Sequence, residues 1–123
     1  MKKKFVFIFV IVGVLIYFLT LNNKSDNLDV YIGQLTIGHE VYSFSECGSG
    51  IYYWFETNQN LQKKIANTYE KETLGMEPYT PILVEIVGST SDYDGDGFAA
   101  NYDGIITISD LKKTYGVESC ESF

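Results

Sequence analysis

The densest run of side chains able to do chemistry is Asp92-Tyr93-Asp94-Gly95-Asp96-Gly97, with Asp103 six residues after Gly97. It matches the D-x-D-x-D-G-x5-[DE] calcium loop, with Asp in place of the bidentate Glu at its last position. Calcium takes several hard oxygen ligands at about 2.3–2.6 Å, and carboxylates at every second position of a tight turn can supply them. Asp92, Asp94, Asp96 and Asp103 are therefore the candidate metal ligands, with calcium the possible cofactor. Against this, the calcium loop of helical proteins sits between two helices, and here strand-like segments flank it. The competing reading is an acidic solvated turn that uses Asp and Gly for their backbone geometry.

Other candidates are weaker. His39 is the one histidine; His39-Glu40 begins like a metalloprotease motif, but Ser43 stands where the second histidine would be. Ser49 in Cys47-Gly48-Ser49-Gly50 is no nucleophile elbow, because the following glycine comes one position early. The glycines of the acidic loop are interleaved with aspartates, which repel phosphate. With no catalytic constellation in view, the chain is read as non-enzymatic. Cys47 and Cys120 are the two cysteines. A disulfide is the simplest use of them in an oxidising compartment. Closing that loop is worth roughly 4 kcal/mol in the chain-entropy treatment. A zinc pair with His39 competes, but CxxC or HxxxH spacing is missing.

The compartment follows from the first residues. Three lysines precede an uncharged run over 5–21, FVFIFVIVGVLIYFLTL. That is the layout of a membrane anchor or a secretory signal. Its 17 residues reach the lower limit for a bilayer span, and an uncleaved anchor is the favoured reading. The lysines then stay in the cytoplasm and the rest faces outward, so 5–21 is the expected membrane contact. Beyond residue 21 there are six lysines against all 16 acidic residues, a net charge of −10. Such a surface repels phosphate backbones, so nucleic acid is not an expected partner.

These side chains need elements to position them. The 123 residues, 46% hydrophobic and 15% aromatic, have room for one folded domain beyond the anchor. Expected are an anchor or signal over 1–21, a tether over 22–28, a domain over 29–120 and a tail over 121–123. Strands are predicted over 29–37, 41–46, 51–56, 81–88 and 105–108. Gly33 marks a bulge or sharp coil in the first of them. Leu61, Ile65 and Tyr69 recur every four residues and predict one helix, capped by Thr57 or Asn58 and stopped by Gly75 and Pro78. Residues 110–115 are predicted as one helical turn. Strand, strand, strand, helix, strand, strand is the order of an OB-fold, and the fold class is mainly β with one helix: a five-stranded OB-like barrel after a single N-terminal transmembrane or signal segment. An open antiparallel sheet with the helix on one face has the same pattern. In the aromatic third strand, alternation sends Tyr53 and Phe55 to one face and Tyr52 and Trp54 to the other. Tyr52 and Trp54 are the candidate partner-binding residues, because OB barrels bind ligands across their second and third strands.

Gly38-His39-Glu40-Val41, Phe44, Cys47-Gly48-Ser49, Trp54 and the late block over 96–104, DGFAANYDG, resemble the OB-like C-terminal domain of NlpE-type bacterial envelope lipoproteins and its stand-alone relatives. The resemblance covers roughly 31–120, and the late block is its more specific half. It implies an envelope protein, a role in reporting envelope stress, and a disulfide that maps onto Cys47 and Cys120. NlpE-type proteins also carry a lipidated cysteine and a separate N-terminal barrel with a CxxC pair. Neither pattern occurs in these residues, so roles that depend on that barrel are not carried over. The expectation is a membrane-anchored, extracytoplasmic OB-like binding or sensing module of the bacterial cell envelope, single-pass, acting through an envelope protein partner. Its alternative is a calcium-stabilised extracytoplasmic structural module built on the 92–103 loop.

Overall fold

The computed structural model of the protein describes residues 2–21 and 27–122. Helix α1 (Lys2–Leu21) is followed by β1 (Asp29–Gly38), β2 (Val41–Glu46), β3 (Tyr53–Glu56), α2 (Gln59–Glu72), β4 (Ile82–Ser91) and β5 (Gly104–Gly116). Short 3-10 turns occupy Phe98–Asn101 and Cys120–Ser122. Among the described residues no helix is long and apolar enough to cross a membrane. The described α1 side chains over 8–18 are all exposed. Most of the tether expected over 22–28 lies outside the described residues.

The strands close into a barrel in the order β1-β2-β3-β5-β4. The open sheet is thereby excluded. All neighbours are antiparallel except β3 and β5, which run parallel. Closure leaves no unpaired edge, the liability of any open sheet. The core is the alternating inward set of the strands, with Leu35, Phe44, Ile86 and Ile106 fully buried. Gly33 sits where β1 pairs with β2 and β4 at once, and its register runs unbroken on both sides, so there is no bulge. Glycine is required there by contact: a Cβ would fall 2.3 Å from the Ser45 carbonyl oxygen and 2.6 Å from the Phe44 ring.

Helix α2 lies where its stripe predicts. Leu61, Ile65 and Tyr69 are its buried residues and join the barrel core. Asn58 is the cap, its side-chain oxygen accepting the Leu61 N–H at 2.9 Å. Thr57 instead donates to the Ile108 carbonyl at 2.7 Å, tying the helix entrance to β5.

Three expectations are corrected. The third strand begins at Tyr53 rather than at residue 51, because the turn before it runs through two left-handed glycines, Gly48 and Gly50. β4 extends to Ser91, three residues past its predicted end. Residues 110–115 are strand and not a helical turn: β5 is 13 residues long and continues to Gly116. The register of β5 against β4 slips at three places, between Leu83 and Val84, Glu85 and Ile86, and Val87 and Gly88. Each slip inserts one extra residue in β5, and such bulges coil a strand sharply. Coiling lets β5 pair with β3 through 104–107 and with β4 from Ile105 onward, which closes the ring.

Candidate functional site

The acidic segment between β4 and β5 is held by its own groups. Asp103 accepts the Tyr52 N–H on Oδ2 at 2.8 Å, and its own N–H donates to the Tyr52 carbonyl at 2.9 Å. Tyr93 donates its hydroxyl to the Asp96 carbonyl, and Tyr102 N–H closes the 3-10 turn on Ala99 at 3.1 Å. Asp92, Asp94 and Asp96 are exposed. Among the described residues, no three His, Cys, Asp or Glu side chains come together as a metal-holding group. The structure thus ties Asp103 to the backbone of Tyr52. Asp92 and Asp103 do line one shallow groove with Tyr53 and Thr90. There the Tyr53 phenol is pushed above its ordinary value, by burial first and then by the charges of Tyr31, Glu46 and Asp103.

The two aromatic candidates part company. Trp54 is half-buried, its ring edge-on to Tyr42 at 5.4 Å and to Tyr102 at 5.6 Å. It acts as a wedge between β2 and the segment after the acidic loop. Tyr52 is 56% exposed and lines a groove of about 350 Å³ over the outer face of β1 and β2. Cys47 and Cys120 wall the same groove. They are joined as a disulfide, with Cα atoms 5.5 Å apart, so a zinc pair with His39 is excluded. The bond fastens the C-terminal turn beside β2, and Gln34 Nε2 adds a 3.3 Å bond to the Glu118 carbonyl. His39 and Glu40 form the β1–β2 turn, 3.5 Å apart, and the histidine side chain is 87% exposed.

One surface was not anticipated from sequence. Between α2 and β4 the chain presents Leu74, Met76 and Tyr79, which are 80%, 54% and 50% exposed. The segment is nevertheless tightly tied. Met76 N–H donates to Thr73 at 2.9 Å, Thr80 Oγ1 to Glu77 at 2.7 Å, and the buried Tyr69 hydroxyl to Thr80 at 2.7 Å. Burial pushes the Tyr69 phenol above its ordinary value, opposed by a hydrogen bond with the Ile37 backbone. Tyr79 itself has φ 65°, a strained conformation for a bulky residue. Its ring lies over Gly38, where a Cβ would come within 2.0 Å of Cε1. With Ile37, His39 and Tyr69 the loop frames a groove of about 360 Å³. The available signal was Leu74-Gly75-Met76-Glu77-Pro78-Tyr79, large apolar residues before, between and after two helix stoppers.

No protein-family profile matches the chain, and no curated protein matches it. Among solved structures the chain is similar to the crystal structure of the Cpx pathway activator NlpE from Escherichia coli, with a TM-score of 0.58 and 16% identity. The match covers 79% of this chain and 45% of the NlpE chain, so the chain spans less than half the length of that structure. The likeness establishes the fold: a five-stranded closed barrel of the NlpE-like, OB-like kind, as the resemblance implied.

Proposed function

We propose that this chain is an extracytoplasmic binding or sensing module of the bacterial cell envelope that works through a protein partner and not by catalysis. The observation that carries the reading is the preorganised apolar loop between α2 and β4. Three large apolar side chains held in water by a rigid, strained loop cost solvation free energy and fit a contact that covers them. The fold shared with an envelope pathway activator and the Cys47–Cys120 disulfide support the compartment. The uncharged run over 5–21, helical within α1 and preceded by three lysines, supports a single-pass anchor. With a net charge of −10 beyond residue 21, and Glu77 within the loop, the partner is an apolar segment rimmed by Lys or Arg. A calcium-stabilised module has less support, since among the described residues no three acidic side chains come together as a metal-holding group.

The test is site-specific photocrosslinking in intact cells, with the reactive residue at Met76 and, as control, at exposed Lys112. A discrete adduct at position 76, absent at 112 and abolished by Leu74→Ser, is the expected result. Identical adducts at both positions, or none at 76, would overturn the reading. Extraction with alkaline carbonate reads the anchor separately: an integral protein stays in the membrane pellet.

A further inference from the structure

We propose that the outer face of β1, β2 and the segment leading into β3 is a binding site for a neutral saccharide chain. Leu35 and Phe44 point inward and are fully buried, so their strand neighbours point out. Those neighbours are all polar and uncharged. Gln34 pairs directly with Ser45 and Thr36 with Ser43, giving a two-by-two lattice of amide and hydroxyl groups. Among the described residues the Thr36, Ser43 and Ser45 hydroxyls carry no side-chain hydrogen bond. Each can donate and accept at once, which is what a sugar hydroxyl asks of its partner.

Tyr52 stands at one side of this lattice, in the same groove. Its ring is exposed, yet its backbone is gripped on both sides by Asp103. An exposed aromatic ring fixed beside polar groups offers a flat apolar face for the C–H side of a pyranose, while the hydroxyls orient its rim. Gly48 and Gly50, with left-handed φ of 78° and 66°, turn the chain away with nothing within 4 Å of a Cβ position and so leave the approach open.

Charge and topology narrow the ligand. Among the described residues Glu46 is the one charged residue lining the groove, on a protein rich in carboxylates. A phosphate-bearing ligand finds no cation there, and a cationic one finds stronger fields elsewhere. β1 and β2 each already have a strand partner on both sides, so a peptide finds no full-length free edge on which to add a further strand. A neutral polyhydroxylated chain meets every condition. In this arrangement Asp103 is a positioning residue: it sets Tyr52 and does not touch the ligand. Of the α2–β4 segment only Pro81 lines this groove, and Leu74, Met76 and Tyr79 do not, so the site stands or falls apart from the partner-binding reading.

The test is titration of the full chain, solubilised in a detergent without a sugar headgroup, with chitotetraose and separately with maltotetraose, followed by amide NMR. Saturable shifts at Gln34, Ser43, Ser45 and Tyr52 with either sugar are expected. Tyr52→Ala should weaken binding by about tenfold or more. Asp103→Asn should weaken it less, with the shifts still on the same face. Leu74→Ser should bind like the parent. Absence of saturable shifts with both sugars at millimolar concentration would overturn the proposal. So would shifts confined to another face, or affinity unchanged in a folded Tyr52→Ala chain.

Discussion

The segment between β4 and β5 advertises itself with four aspartates, whereas the segment between α2 and β4 reads as an ordinary helix stop. In the fold their roles are exchanged. Asp103 and Tyr93 spend their polar groups on Tyr52 and on the Asp96 carbonyl, so the acidic segment organises the barrel's own backbone. The α2–β4 segment satisfies its backbone through Thr73, Glu77 and Thr80 and leaves Leu74, Met76 and Tyr79 facing water. Residue types with strong local preferences are easily consumed by turn geometry. An apolar side chain left exposed by a well-tied loop has no such local explanation.

That contrast can be broken by mutation. The largest effect is expected at the base of the apolar loop: Tyr69→Ala should cost about 3–5 kcal/mol in chemical denaturation, by cavity formation. Tyr69→Phe, which loses the hydroxyl's bonds to the Thr80 and Ile37 backbone but keeps the ring, should cost about 1–2 kcal/mol. Asp103→Ala should cost about 1 kcal/mol, because its acceptor oxygen serves a backbone N–H near the surface. If stability is unchanged, Asp103 is free for another role and the contrast weakens.

Alkali probes both regions together. Tyr53 and Tyr69 each hold their protons above the ordinary value of 10.0 in the folded chain. The folded state therefore binds more protons than the unfolded state in that range, so stability falls as pH rises. The contribution is fully present below pH 10 and is lost as pH climbs through the raised values; melting at graded alkaline pH checks it. The smallest effects are expected from Leu74→Ser, within about 0.5 kcal/mol of the parent because the side chain packs on so little. Millimolar calcium should leave melting where EDTA leaves it. A rise of several degrees with calcium would instead return Asp92, Asp94, Asp96 and Asp103 to the role of ligands.

How much of this was legible depended on how local the signal was. The α2 stripe of Leu61, Ile65 and Tyr69 is a property of one helix and its neighbours, and it located the helix and its cap. β1 and β2 keep strict alternation and were placed almost residue for residue. β5 was misread for a definite reason. Its extra residues against β4 are Ser109, Lys112 and Tyr115, spaced by three. A strand bulged every third residue loses its period of two and imitates the period of a helix. The site shows the same divide. Alternation put Tyr52 and Trp54 on one face, yet Tyr52 is exposed and Trp54 half-buried, because Trp54 packs on Tyr102, far along the chain. The grip of Asp103 on Tyr52 spans 51 residues, and no local pattern announces it.

β5 also governs when this protein can fold. It is the partner of both β3 and β4, so the ring has no closed form until residues 104–116 have left the ribosome. Every shorter nascent chain holds β1 to β4 with two unpaired edges, and the short β3 gains most of its pairing only from β5. The barrel therefore stays open until β5 has been made, and its closure is a concerted event dominated by contacts distant in sequence.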